Sequence, residues 1–405
     1  MLYKFILLNI FMKNLLVISS AYPRYDNDVY ANFVKDLLEN LSSFNITVLA
    51  PHDHNIKKEE IINNLKIKRF QYFYPQNSQK LAYAIIPNLK KNPFLIFQLP
   101  FFNLSFLIST IKLIKKNKFD IINSHWLLPS GLIGAICKKL FNIKHISTTH
   151  GGDLETLNKM PFKRIISNFV LNNSDYILFV SSYSKNIFKN LIKDKNKLEK
   201  KSLILPMGIN INNLKNNISL NKIKKNYNVK TNKNIVFIGR LEERKGINYL
   251  IGSIPKILNE FNITLFILGD GPIKKELSNL VKILKLENNV KFLGHTIGKK
   301  KLDFLKLADI LIIPSLSEGL PVTLLEGLAT GKAVIATKVG GIPDVLKNNN
   351  GILINPKNKE ELSSNIIKLF KNPKLAKKLS KNALKISKNY DWKIISEKYT
   401  KIFNK

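Results

Sequence analysis

Residues 310–337 read ILIIPSLSEGLPVTLLEGLATGKAVIAT. The run at 310–314 is rich in β-branched residues and closes on a proline, the pattern of a strand buried on both faces. A loop containing Gly319 follows, and Pro321 fits the first position of a helix. Apolar residues then recur at helical spacing as far as Gly331, a residue suited to a C-cap. The run AVIAT at 333–337 is a second buried strand. Two strands joined by a helix lie parallel, because parallel strands need a crossover connection, so this stretch is a βαβ unit.

The same alternation extends in both directions. Strands are expected at 235–239 (IVFIG), 263–269 (ITLFILG), 290–293 and 351–354, with helices at 247–260 and 273–286. Towards the N-terminus the apolar runs are 14–19, 46–50, 119–123, 144–149, 176–181 and 202–206, with helices at 30–41 and 131–141. Two such sets predict an α/β protein of two Rossmann-like domains, 1–205 and 206–388. The polar stretch 207–234, with little strand or core character, falls at the division. Residues 389–405 form a further helix, with Trp392, Ile395, Tyr399, Ile402 and Phe403 at helical spacing. Ligands of such folds bind at the carboxyl ends of the strands, so the chemistry is sought there.

The chain has 405 residues and 45% hydrophobic content, which excludes wholesale disorder. One cysteine, Cys137, excludes an internal disulfide or a thiolate cluster and fits a reducing compartment. There are 65 Lys+Arg against 28 Asp+Glu, a net charge of +37. Five of the basic residues are arginine, and the crowding of Lys, Asn and Ile matches AT-rich codon usage. The lysines are spread along the chain without a helix-turn-helix, zinc-finger or RNP-like motif, so no nucleic-acid partner is expected. A basic surface still attracts phosphates and anionic lipid headgroups.

Residues 1–11 are apolar but too short to span a bilayer, and Met12 opens directly into a buried strand, so Met12 is read as the initiator. Residues 92–111 carry no charge and reach spanning length. Pro93, Pro100, Gln98 and Asn103 argue instead for a core or surface-docked helix, flanked by lysines that suit an anionic membrane.

Gly239 and Arg240 end one strand, and Arg244, Lys245 and Gly246 follow closely. A glycine permits close backbone approach, and two cations at a strand end suit a diphosphate. Amides at 319–324 would add a phosphate cradle. Glu318 and Glu326 suit either hydroxyl recognition or the acid and base of a hydrolase. Beside a cationic diphosphate site, acceptors for sugar and ribose hydroxyls make the more coherent set.

These motifs resemble those of the retaining family 4 glycosyltransferases of the GT-B fold. EGLPVTLLE (318–326) is similar to the family's paired glutamates, GRLEERKG (239–246) to its donor-diphosphate segment, and LPMGIN (205–210) to its hinge. LGDGP (268–272), FLGH (292–295), ADILIIPS (308–315), VGGIPDVL (339–346), HWLLPSG (125–131) and THGGD (149–153) match in order. The resemblance implies two domains facing a cleft, with the C-terminal helix returning to the N-terminal domain. It implies that Arg240 and Lys245 neutralise the donor diphosphate, with Gly239 beside them. Glu318 would bind donor-sugar hydroxyls, the amides of Gly319 and Leu320 would help hold sugar and phosphate, and Glu326 would bind the ribose. His150 would face the donor sugar, and Asp153 would lie towards the acceptor.

The family often carries a Gly-Gly pair in its first loop, where this chain has Asp28-Val29. That loop is expected to shape the acceptor side through Asp28, with Arg24 as an anion contact. The expected function is sugar transfer from a nucleotide donor to a lipid-linked or saccharide acceptor, with retention and without a metal or other cofactor. The setting is envelope polysaccharide, glycolipid or glycoprotein assembly, in the cytoplasm or peripherally at the inner membrane face. A nucleotide-sugar 2-epimerase shares the fold but lacks the Glu-seven-residue-Glu spacing, and a non-catalytic basic binding protein would not need the donor motifs. Asp26-Asn27-Asp28 spells a metal-binding DxD of another fold, and His52-Asp53-His54 lacks a third ligand at suitable spacing. His125 and Trp126 are read as packing, and His145 and His295 as structural.

Overall fold

The computed structural model describes residues 12–25, 28, 30–83, 85–214, 219–347 and 349–405. The start-site expectation at 1–11, and Asp26, Asn27 and Val29 of the first loop, lie outside the described residues. The chain forms two units: one takes the chain up to Met207 together with Trp392–Lys405, and the other is Gly208–Asp391.

The first unit is built on a sheet of eight strands: β1 (Lys13–Ser19), β2 (Phe44–Pro51), β3 (Glu59–Ile62), β4 (Leu65–Phe70), β5 (Ile121–His125), β6 (Lys144–Thr149), β7 (Tyr176–Phe179) and β8 (Ser202–Ile204). Their order is β3-β4-β2-β1-β5-β6-β7-β8, and only β3 runs antiparallel to its neighbour. β1 is central and Leu15–Ile18 are all fully buried, which is why that strand reads as an unbroken apolar run. The order reverses between β1 and β5, so the loops after these two strands flank the switch point.

Several boundaries differ from the sequence reading. β5 begins at Ile121; Asp120, just before it, takes the Asn14 amide on its carboxylate at 2.7 Å and donates its own amide to Asn14 O at 2.9 Å. β7 stops at Phe179, because Ser181 caps the helix Ser182–Lys189 by accepting from the Ser184 amide. The β3–β4 hairpin was not expected at all. It turns on Asn63-Asn64, both at positive φ, a two-residue turn that asparagine favours.

The second unit has six parallel strands: β9 (Lys233–Ile238), β10 (Ile263–Leu268), β11 (Val290–Gly294), β12 (Ile310–Ile313), β13 (Ala333–Thr337) and β14 (Ile352–Ile354), ordered β11-β10-β9-β12-β13-β14. The reversal here falls between β9 and β12. Alternate residues of β9 feed two separate cores. Ile235 and Phe237 pack with Leu250, Ile254 and Ile366, while Val236 packs with Phe304, Leu324 and Leu328. Helices therefore cover both faces, as a doubly wound sheet requires. The stretch 207–234 contributes more than expected to this unit: Ile209 and Ile223 are buried, the latter in the helix Leu220–Asn226.

The C-terminal helix Trp392–Asn404 completes the first unit. Ile395, Tyr399 and Phe403 are fully buried, and the Phe403 ring meets Phe44 edge-on at 5.5 Å. Lys144 Nζ donates to the carbonyls of Ile402 and Phe403, satisfying the orphan acceptors of the helix end.

Candidate active site

In the second unit the loops after β9 and β12 meet at the switch point. The Leu316 amide donates to Arg244 O at 2.7 Å. Gly246, at φ 63°, lies so close to β12's exit that a Cβ would enter the van der Waals shell of Pro314 O. The loop after β13 supports the other side: Gly341 N donates to Gly319 O at 2.8 Å, and Gly340, at φ 55°, presses on the Glu318 carbonyl. Leu241 N donates to Asp270 O, which adds the LGDGP turn to the same cluster. The motifs at 239–246, 268–272, 314–320 and 339–341 thus form one assembly of strand-end loops.

The side chains follow. Lys245 Nζ lies 2.5 Å from Glu318 Oε1, and Ser315 Oγ donates to that same oxygen at 2.7 Å. Arg244 Nη1 stands 3.8 Å from Glu318 Oε2. Glu318 is buried, with 6% of its surface exposed, and burial of a carboxylate is tolerated because these partners compensate its charge. Arg240 Nε lies 2.8 Å from Glu242 Oε1, while Glu242 Oε2 takes Arg244 Nε at 2.9 Å. Three cations and two carboxylates are therefore interleaved at the ends of β9 and β12.

The helix after this loop is Val322–Ala329. It starts one residue later than expected, since Pro321 is extended (φ −74°, ψ 124°) and serves as the N-cap, and it ends two residues before Gly331. The Leu324 amide closes the first turn onto Pro321 O, so it is not part of an outward-facing cradle. Glu326 lies on this helix with Lys301 Nζ at 2.6 and 2.7 Å from its two oxygens. Sequence reasoning missed Lys301, which stands in a run of three lysines with nothing to single it out. Ser315 was inside a recognised motif but was given no role.

The first unit holds the remaining expected residues. His150 follows β6, and its Nε2 is 3.1 Å from His125 Nδ1 with the rings stacked at 13°. Burial alone pushes the His125 imidazole down to about 3. Burial, then the neighbouring His125, holds His150 well below its ordinary range. Both rings are thus neutral near pH 7, and one must donate to the other, so their tautomers are linked. Trp126 and Phe33 pack on His150 at 4.9 and 4.8 Å. His145 is a satisfied core residue, between Ser124 Oγ at 2.9 Å and Ser174 Oγ at 3.0 Å.

Asp153, Arg24 and Asp28 are each held by hydrogen bonds or ion pairs within the first unit. Asp153 accepts the Leu127 amide at 2.7 Å and the His150 amide at 3.1 Å, tying two loops together. Burial raises its carboxyl, and these amides offset part of that rise. Arg24 is engaged by two carboxylates of its own unit. Its Nε lies 2.7 Å from Asp28 Oδ2, its Nη1 2.7 Å from Asp53 Oδ2, and its guanidinium sits 4.7 Å from the Tyr83 ring centre. Burial opposes the Asp28 charge, but Arg24 and the amides of Arg24 and Tyr30 hold the carboxyl below its usual range. The Asp28 charge is therefore paired within the unit, by a guanidinium that it shares with Asp53.

His52 accepts no metal-like neighbours: it contacts Ile56 O at 3.0 Å and Gln79 Nε2 at 3.3 Å. Among the described residues, no group of three or more His, Cys, Asp or Glu is placed to hold a metal ion.

Two parallel-sheet, Rossmann-like units in one chain are the architecture of the GT-B fold. The family described as Glycosyltransferase Family 4 matches residues 31–212, and Glycosyl transferases group 1 matches residues 219–386. An uncharacterized glycosyltransferase of Methanocaldococcus jannaschii is 31% identical over 325 residues, 77% of this chain and 82% of that protein. The chain belongs to glycosyltransferase family 4. Among solved structures, sucrose-phosphate synthase of Thermosynechococcus elongatus superposes with a TM-score of 0.79 at 19% identity, covering 97% of this chain and 98% of that one. HepE of Anabaena, in complex with UDP-glucose, superposes with a TM-score of 0.74 at 18% identity, covering 97% and 99%.

Proposed function

We propose that this glycosyltransferase moves a hexose from a nucleotide-diphosphate donor to an acceptor hydroxyl with retention of configuration, in envelope polysaccharide, glycolipid or glycoprotein assembly at the cytoplasmic side. The observation that carries the donor assignment is the Lys245–Glu318 pair at 2.5 Å, which joins the cationic loop after β9 to the acidic loop after β12. An ammonium has three donors, so Lys245 can hold Glu318 and a phosphate oxygen together. Arg240 adds a planar guanidinium suited to phosphate.

In this reading the bond between donor C1 and the phosphate oxygen breaks, and the acceptor oxygen bonds to C1 on the same face. The acceptor proton passes to the departing phosphate oxygen. Arg240 and Lys245 stabilise the negative charge that grows on the diphosphate, the kind of fixed electrostatic term that dominates many enzymes. Lys245 and Ser315 orient the Glu318 carboxylate, whose remaining lone pairs accept sugar hydroxyls. The amides of Gly319 and Leu320 help hold sugar and phosphate, and Glu326, braced by Lys301, accepts the ribose hydroxyls. The reading requires no metal, because the two cations supply the charge. His150, in the other unit, is assigned to the donor sugar by resemblance.

Melting with a panel of UDP-, GDP- and ADP-sugars tests this, since a ligand that binds the folded state raises Tm by mass action. One donor should stabilise the protein, and Arg240→Ala should remove the shift while leaving the unliganded Tm in place. Transfer from that donor should give a product of unchanged anomeric configuration by NMR. Equal shifts in wild type and Arg240→Ala would refute the diphosphate assignment.

A further inference from the structure

Between Glu60 and Asp120 the chain has no Asp or Glu, yet it carries Lys66, Lys68, Arg69, Lys80, two lysines at 90–91 and four at 112–118. Within this carboxylate-free stretch runs the helix Leu99–Lys116, preceded by the 3-10 turn Pro93–Gln98. Its two faces differ in fate rather than in polarity. Phe102, Phe106 and Thr110 are fully buried, with Phe106 stacked on Phe70 at 4.5 Å and Phe102 against Tyr72 at 5.0 Å. The opposite stripe, Phe94, Phe97, Phe101, Leu104 and Ile108, follows the same three- and four-residue spacing but is exposed. Phe94 is 79% exposed, Phe97 69% and Phe101 54%. The stripe continues directly into Lys112 and Lys115, and Lys90 and Lys91 stand at its other end.

We propose that this face is a docking surface for a bilayer of anionic lipids, with the helix lying in the interface plane. Pro93–Lys116 is long and apolar enough to cross a membrane by composition, at a mean hydropathy of 1.8. Its buried face nonetheless belongs to the aromatic core of the first unit, and crossing would strip Phe102 and Phe106 from Phe70 and Tyr72. Lying flat leaves that core intact and buries the exposed aromatics among acyl chains and headgroups. The occupant is fixed by charge. Apolar rings rimmed at both ends by lysines, with no carboxylate in the surrounding stretch, complement a negatively charged headgroup layer over hydrocarbon. A protein partner or a second copy of this positively charged chain would have to meet the same lysines.

Flotation of the intact protein with vesicles tests the proposal. Phosphatidylcholine mixed with phosphatidylglycerol should carry the protein, and pure phosphatidylcholine should carry much less. Because the whole chain is basic, simple adsorption must be told apart from docking. Phe97→Ser with Phe101→Ser keeps every charge and changes side chains that are more than half exposed; Phe101 gives up one ring contact, to Phe73 at 5.7 Å, so the fold should persist with little change in Tm. Docking predicts that this variant loses binding about tenfold or more. Each lysine brought to an anionic surface is worth about fivefold in partitioning, so Lys90, Lys91, Lys112 and Lys115 all changed to Gln should lose about a hundredfold or more. Wild-type binding in the Phe97→Ser, Phe101→Ser variant would overturn the proposal. So would an absence of binding to either vesicle, or a wild-type dimer that this variant converts to monomer.

Discussion

Replacing Gly340 by alanine should disable the donor site without touching any side chain in it. A Cβ at this position would lie 2.7 Å from the Glu318 carbonyl carbon and closer still to its oxygen. Carbon atoms in contact prefer about 3.5–4.0 Å, so the 318–319 backbone must retreat by roughly 1 Å. The residue also holds φ 55°, where a side chain costs about 1–2 kcal/mol. Adding roughly 1–3 kcal/mol for overpacking gives a loss of about 2–5 kcal/mol. For a unit of this size that is a fall in Tm of roughly 5–15 °C. A 1 Å displacement of a positioning group costs on the order of 100-fold in rate, so kcat/KM should fall by about that factor even at temperatures where the protein is folded. Gly252→Ala is the matched control. It lies in the helix Ile247–Leu258, where a Cβ meets only Lys359 Cδ at 3.8 Å, and should be neutral or stabilising by up to about 1 kcal/mol. Melting curves and initial rates on both variants decide the matter. Wild-type stability and activity in Gly340→Ala would refute the packing argument, and lowered stability with full activity would refute the role given to the 318–319 loop.

The buried histidines of the first unit predict acid sensitivity. His125 and His145 are pushed by burial to about 3 and about 4, so the unfolded chain binds protons below about pH 6.5 that the folded chain refuses. Their contribution is complete above that pH and falls as pH drops towards 4, by roughly 4 kcal/mol for the pair at pH 5. A flat stability profile between pH 7 and 5 would contradict this. Phe403→Ala should cost about 3–5 kcal/mol, since the ring is fully buried against Phe44 and Tyr399, and an unchanged urea midpoint would contradict it. Lys301→Ala should weaken donor binding less than Arg240→Ala does, because it acts through Glu326 alone; calorimetric titration of both variants with the stabilising nucleotide checks the order.

The buried parallel strands were legible because a stretch covered on both faces, such as Leu15–Ile18 of β1 or the whole of β12, must be apolar at every position. β3 and β4 escaped notice for the opposite reason. Glu59–Ile62 and Leu65–Phe70 mix charge with apolar residues at the sheet's edge, and their clearest mark, Asn63-Asn64, depends on φ values that composition does not display. Motif order made Glu318, Arg240 and Lys245 visible. Ion pairing was not visible. Arg24 finds Asp53 across 29 positions and Lys301 finds Glu326 across 25, and local spacing says nothing about such partners. The same blindness made Asp28 look like an unpaired charge.

The C-terminal helix has a consequence for how the protein is made. The first unit needs Phe403 to pack on Phe44, with Trp392 and Tyr399 buried along the same helix, yet these residues leave the ribosome only after the whole second unit. The second unit is continuous in sequence, from Gly208 to Asp391, and is fully available before them. Synthesis therefore inverts the order of the chain: the half begun first is finished last. Throughout translation a nascent N-terminal half keeps an open apolar seam, and a premature stop anywhere before residue 392 would leave that seam exposed however well the rest had folded.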